Sequence, residues 1–285
     1  MTTPSPMAWV ALCWRSKEGS KAPDPLKNSL HINRMNTYQL HADTGSSSNV
    51  ETYSGQIGQA SVYKQNGNPF QSTIILGNRH RAVRSAALKD AQIPVGFYNI
   101  RAPYNSIILN GTTYTVPPGN YNITSLINTL NGQITNAVGT FSTTSTTNQV
   151  SFTSNNGQII IRVPPLSLGY FLGFTNGQTA PATSTSVTGT SSYITNFDTC
   201  FYIWIQNLGT SSLDGQQITY KIPNTTGSGS IIQYSEGQSW EQKIVVTDRS
   251  NRLDRLIVTV VDRFGNVLNN NGLDWTFTLE IEADT

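Results

Sequence analysis

Three histidines, His31, His41 and His80, are the residues whose type could bind a metal or move a proton near neutral pH. None has a second ligand at the short spacing that metal sites use. Cys13 and Cys200 stand alone, with no C-x-x-C pair for zinc or redox work, so they predict a reducing compartment and no disulfide framework. The charge is densest at Asp248-Arg249, Asp254-Arg255 and Asp262-Arg263, a set that could be read as glycosidase carboxylates or a calcium loop. Each Asp is followed by an Arg, and Asp248 and Asp262 close strand-like runs, where Asp starts a turn. Salt bridges and Asx-turns are therefore the better reading, and Asp274 before Trp275 is read the same way. With no G-x-S-x-G elbow, P-loop or dinucleotide fingerprint, the sequence predicts no enzyme, no cofactor, no metal and no small-molecule substrate.

The elements around these residues read as all-β. Charged residues make up 12% of the 285, against roughly 25% in an average soluble protein. Asn, Thr, Ser and Gly fill the polar positions, and β-branched and aromatic runs are cut by Gly, Pro and Asn. Strands are predicted at 72–76, 81–92, 199–206, 216–222, 230–234, 242–247, 255–261 and 275–282. In the last, Trp275, Phe277, Leu279 and Ile281 alternate with Thr and Glu, giving one buried and one wet face. Asn110-Gly111 between 106–109 and 112–116 predicts a tight hairpin. Ile123, Leu126, Ile127 and Leu130, with Asn122 as N-cap, predict the one short helix. A second hairpin is expected to join 149–153 to 158–163 through Asn155-Asn156-Gly157, followed by a compact apolar turn at 167–174 and a surface loop at 176–192. The resulting expectation is a single jelly-roll β-sandwich over 51–285, with a hairpin-helix-hairpin unit inserted around 105–163.

Residues 1–50 read as an extended arm, because Pro4, Pro6, Pro23 and Pro25 break helices and Gly45-Ser46-Ser47-Ser48 is linker-like. Its first 34 residues hold five bases against Glu18 and Asp24, although the whole chain is only +2. Trp9, Trp14, Arg15 and Lys17 are the candidate anchors of this arm on a neighbour, with a loose tail as the alternative. The apolar run 7–14 is too short to span a bilayer and lacks the basic region of a secretory signal, so neither a membrane span nor export is expected. Three Asn-x-Thr sequons arise by chance in a chain so rich in Asn and Thr.

Several stretches together resemble the penton, or minor capsid, proteins of virophages, polinton-like viruses and related large DNA viruses of the adenovirus-type capsid lineage. They are Ile93 to Ile100, with Pro94, Phe97, Tyr98 and Asn99; Val116 to Tyr121, with Gly119, Asn120 and Tyr121; and Leu172-Gly173-Phe174. To these are added Asp254 to Asn266, with Asp262, Arg263 and Gly265, and Gly272 to Leu279, with Asp274 and Trp275. The resemblance implies a structural homopentamer at the fivefold vertices of an icosahedral double-stranded DNA virus, beside a double-jelly-roll major capsid protein. Other minor capsid proteins could be met through the arm. It also implies a place in the virion capsid after assembly in the host cytoplasm or nucleus. The alternative from another class is a carbohydrate- or receptor-binding β-sandwich, in which exposed Tyr and Trp beside Asn form the platform.

Overall fold

The computed structural model describes residues 35–45, 49–53, 56–135, 137–196, 198–206, 212–213, 216–217, 220–236, 243–245 and 252–284. In chain order the elements begin with β1 (Met35–Asp43), β2 (Asn49–Tyr53), β3 (Gln56–Gln65) and β4 (Asn68–Pro94). Then come β5 (Ser106–Leu109), β6 (Thr112–Thr115), α1 (Ile123–Gln133), β7 (Gly139–Thr144), β8 (Gln149–Ser154), β9 (Ile159–Arg162), α2 (Leu168–Phe171), β10 (Gln178–Ala180) and β11 (Ser186–Thr188). The last are β12 (Cys200–Gln206), β13 (Ser212–Leu213), β14 (Gln216–Gln217), β15 (Tyr220–Pro223), β16 (Ile231–Ser235), β17 (Lys243–Val245), β18 (Arg252–Asp262) and β19 (Thr276–Asp284).

The pairing wires an antiparallel jelly roll. One layer runs β1, β19, the C-terminal half of β4, then β16 and β17. The other runs β3, the N-terminal half of β4, β18, β12, β15. First and last strands lie side by side, and the chain passes between the layers as it advances, which is the jelly-roll order. β4 belongs to both layers, pairing with β18 over 71–81 and with β19 over 81–92. The hairpin of β2 and β3 joins β1 to β4 and closes one edge. Phe70, Ile74, Leu88, Phe201, Ile203, Val260, Leu279 and Ile281 fill the space between the layers as one apolar core. Trp275 heads this core, edge-on to Phe70 and stacked on Phe277, with its indole N–H on the Pro69 carbonyl at 2.9 Å.

The residues between β4 and β12 carry two small sheets, β10-β9-β5-β6 and β11-β8-β7, and a second apolar core of their own. The β5–β6 hairpin turns at Asn110-Gly111, both at positive φ, as the sequence predicts. α1 starts at the expected cap, where Asn122 accepts from Ser125 N and Ser125 Oγ accepts from Asn122 N.

Five expectations need correction. The arm of 1–50 is expected to give nothing to the core, yet β1 and the first two residues of β2 lie inside it and Leu40 and Ala42 are buried. The run from 72 to 92 is one unbroken strand, with Leu76 to Arg79 bulged out of the β18 ladder between the pairs Ile75–Arg255 and His80–Leu253. The 149–153 and 158–163 strands do not pair as a hairpin: β8 pairs with β7 and β11, and β9 with β5 and β10. Residues 176–192 are not all loop, since β10 and β11 supply those edges. The apolar turn at 167–174 includes the short helix α2.

Candidate functional site

Four of the five resembling stretches meet where the chain leaves the sandwich. β4 ends at Pro94, which lacks the N–H needed to continue a central ladder. Phe97 then turns into the sandwich core against Phe70 and Phe201, with ring centroids 6.4 and 6.1 Å apart, while Tyr98 faces solvent. Gly96 is required here, because a Cβ would lie 2.6 Å from Leu273 Cδ1 and 2.7 Å from the Asn270 carbonyl. Asn99 clamps the next stretch: its Nδ2 donates to the Tyr121 carbonyl at 2.7 Å, its Oδ1 accepts from Tyr121 N at 2.9 Å, and Asn120 Oδ1 accepts from Asn99 N. Ile100 and Gly119 exchange backbone bonds beside it.

Below this clamp lies a buried charge network. Arg101 grips Asp198 with Nη1 at 2.6 Å and Nη2 at 3.1 Å, and Nη2 also reaches Asp262 Oδ2 at 3.1 Å. The side chains of Arg101, Asp198 and Asp262 are 12%, 2% and 0% exposed. Tyr104 Oη donates to Asp262 Oδ2 at 2.6 Å and accepts from Asn266 Nδ2. Asp262 Oδ1 accepts the backbone N–H groups of Phe264 and Asn266 at 2.8 and 2.9 Å, forming the predicted Asx-turn, and Gly265 takes a positive φ within it. Phe264 packs on Tyr104 and Phe171, and the Arg263 guanidinium lies 4.6 Å over its ring.

Burial pushes the Asp198 carboxyl above its ordinary range, against the opposing pull of Arg101. For Arg101, burial works against the charge, but hydrogen bonding to Asp198 and the charges of Asp198 and Asp262 raise its pKa. Burial and the bond to Asp262 push the Tyr104 phenol up. Every oxygen of Asp262 is engaged, and Asp198 is held by both guanidinium nitrogens. Such groups cannot serve as a free base or nucleophile; what they do is fix the β18–β19 turn to the residues after β4. Among the described residues no group of three His, Cys, Asp or Glu is placed to hold a metal ion.

The other predicted positions lie outside this charge network. Asp274 follows Leu273, whose side chain lies against Gly96, and bonds Thr44 at 3.1 Å and Lys64 at 2.5 Å. Gly173 has φ +86 with the Ser191 carbonyl pressed against it, and Phe174 lies in the second core. His41 bonds Thr278 across the β1–β19 pair at 2.8 Å, and Asp254 meets Arg255 only at 3.7 Å on an exposed face. Trp9, Trp14, Arg15, Lys17, His31 and Asp248-Arg249 lie outside the described residues, and so does the side chain of His80. Sequence reasoning missed Arg101, Tyr104 and Asp198. A signal was present: Arg101, Arg162 and Asp198 are the only charges from 91 to 213, and two of the three are buried against each other.

A cleft of about 330 Å³ opens beside the clamp, lined by Asn99, Asn120, Tyr121, Asn196, Asn224 and Thr226 among others. Asn224 Oδ1 and Thr226 Oγ1 have no hydrogen-bond partner there among the described residues.

No family model matches the chain, and no curated protein matches it. Among solved structures it is similar to a crystal structure of the selenomethionine-labelled mavirus penton protein, at 11% identity and a TM-score of 0.42, over 79% of this chain and 98% of that one.

Proposed function

We propose that this chain is a structural capsid subunit, the penton that closes the fivefold vertices of an icosahedral double-stranded DNA virus as a ring of five copies within a double-jelly-roll shell. The observation that carries the reading is the meeting of Asn99, Gly119 to Tyr121 and Asp262 to Gly265 in one seam. These stretches carry the sequence resemblance, are distant in the chain, and are tied by bonds that serve rigidity rather than chemistry. Stiffness suits the role, because a ring closes only if each subunit presents two different faces at a fixed angle. A specific interface of this kind buries at least about 1,000 Å², and a 12% charged chain has few ions to desolvate in making it. The test is native mass spectrometry of the purified chain, alone and with the major capsid protein. Five-copy rings are expected, and monomers and dimers alone in both conditions overturn the reading.

The cleft beside Asn120 and Tyr121 favours one second reading, a carbohydrate- or receptor-binding sandwich, since carboxamides beside an aromatic ring suit a neutral sugar. A glycan array with the wild type and an Asn224→Ala, Thr226→Val variant tests it: specific binding lost in the variant supports it, and no binding ends it.

A further inference from the structure

The outer faces of the two layers differ in chemistry. On the layer of β3, β18 and β12 the outward positions bring Tyr63, Ile75, Ile257, Trp204 and Tyr202 onto one surface, by the registers Tyr63–Thr73, Ile75–Arg255, Ile257–Gln206, Trp204–Thr259 and Tyr202–Val261. Tyr63 is 59% and Ile75 47% exposed, while Trp204 is half-buried, its indole N–H buried without an acceptor among the described residues. The charges around this surface are Lys221, Arg255 and Arg263 against Asp254, with Lys64 engaged by Asp274 at its edge. The opposite layer, of β1, β19 and β16, shows polar and acidic residues outward. It carries Asp90, Glu236, Glu280 and Glu282, with Lys89 bridging Glu236 and Glu280, and Lys243 of β17 stands opposite Ala87 in the register.

We propose, resting on the reading of the chain as a ring-forming subunit, that the apolar and basic face around Trp204 docks on the acidic face around Asp90 and Glu280 of a second copy of this chain. Opposite charge favours this pairing, since acidic on acidic repels and the head-to-tail match adds carboxylates on the side of Lys221 and Arg255. The match uses different patches on the two copies, so it is heterologous and propagates around an axis instead of stopping at a dimer. Trp204 supplies the large apolar contact that anchors such interfaces.

Zero-length carbodiimide cross-linking of wild-type protein, with one copy isotope-labelled, should join Lys221 of one copy to Asp90 or Glu280 of another. In native mass spectrometry, Trp204→Ala, the pair Lys221→Glu with Arg255→Glu, and the pair Asp90→Lys with Glu280→Lys should each raise the half-assembly concentration at least about tenfold. Combining both charge pairs in one chain should restore assembly to near the wild-type level, and melting curves report whether each variant is folded. Rings that form in the wild type but ignore these variants and yield no such cross-links overturn the choice of faces and leave the ring intact. A wild type that never associates overturns the ring-forming reading, and the docking falls with it.

Discussion

Tyr104 Oη donates its proton to Asp262 Oδ2 at 2.6 Å across 158 residues of sequence, and the same phenol oxygen takes a bond from Asn266. Tyr104→Phe removes a hydrogen bond to a buried charge and should cost about 1.5–3 kcal/mol in denaturant titration. Arg101→Met leaves Asp198 and Asp262 buried without their cation and should cost more, about 3–5 kcal/mol. A loss under about 1 kcal/mol for Arg101→Met would show that the seam does not hold the fold.

Tyr104 and Tyr220 both have folded-state pKa values raised by burial. A group with a raised folded pKa contributes stability that is intact below its unfolded value, near 10 for Tyr, and is lost as pH rises through the folded one. The protein should therefore lose stability from about pH 10 upward. In an ultraviolet titration these two phenols should ionise only as the protein unfolds. Tyr220→Phe should flatten that alkaline decline without changing the slope near neutrality.

Trp275→Ala should cost about 3–5 kcal/mol, the loss typical of a large buried aromatic. Trp275 is 1% exposed, and its truncation also removes one of the two hydrogen bonds to the Pro69 carbonyl, leaving that from Ser72 Oγ. Equilibrium unfolding checks this, and a change under about 1 kcal/mol would contradict the placement of this ring in the core.

Gly173→Ala should destabilise by more than about 1 kcal/mol. The new Cβ would sit 2.1 Å from the Ser191 carbonyl oxygen at a backbone angle of +86°. Unchanged melting of this variant would mean that the 189–191 segment yields without cost.

Removing residues 1–34 should leave the melting transition unchanged, because Pro4, Pro6, Pro23 and Pro25 and the lack of strand alternation give this segment little to add to a sandwich core. Incorporation into particles should fall if Trp9, Trp14 and the bases there anchor the subunit. Recovery of truncated protein in assembled particles, measured against full-length protein, decides the second half.

Local chemistry was legible and pairing at a distance was not. Asn110-Gly111 and the Asn122 cap act over a few residues, so sequence placed β5, β6 and α1 closely. The alternation at 275–281 likewise named the buried face of β19. β1 was missed because its neighbours in sequence are Pro- and Ser-rich, while its partner, β19, is at the other end of the chain. β8 and β9 were paired with each other because they are adjacent and flank a turn signal, but their hydrogen bonds go to β7, β11, β5 and β10. Of the seam, Asn99, Gly119 and Asp262 were named through the resemblance, whereas Arg101 and Asp198 carried no local pattern and could be found only by noticing how rare charge is around them.

The shared strand β4 gives the molecule a load path. A sandwich whose layers are separate strands can shear by sliding one sheet over the other, at the expense of side-chain contacts. Here the same 27-residue backbone is hydrogen-bonded to β3 and β18 at one end and to β19, β16 and β17 at the other. Tension applied at Pro94, where the chain leaves the sandwich, is therefore delivered to both layers in series along covalent bonds. Pulled from that point, the sandwich should yield as one unit, in a single rupture event and not sheet by sheet.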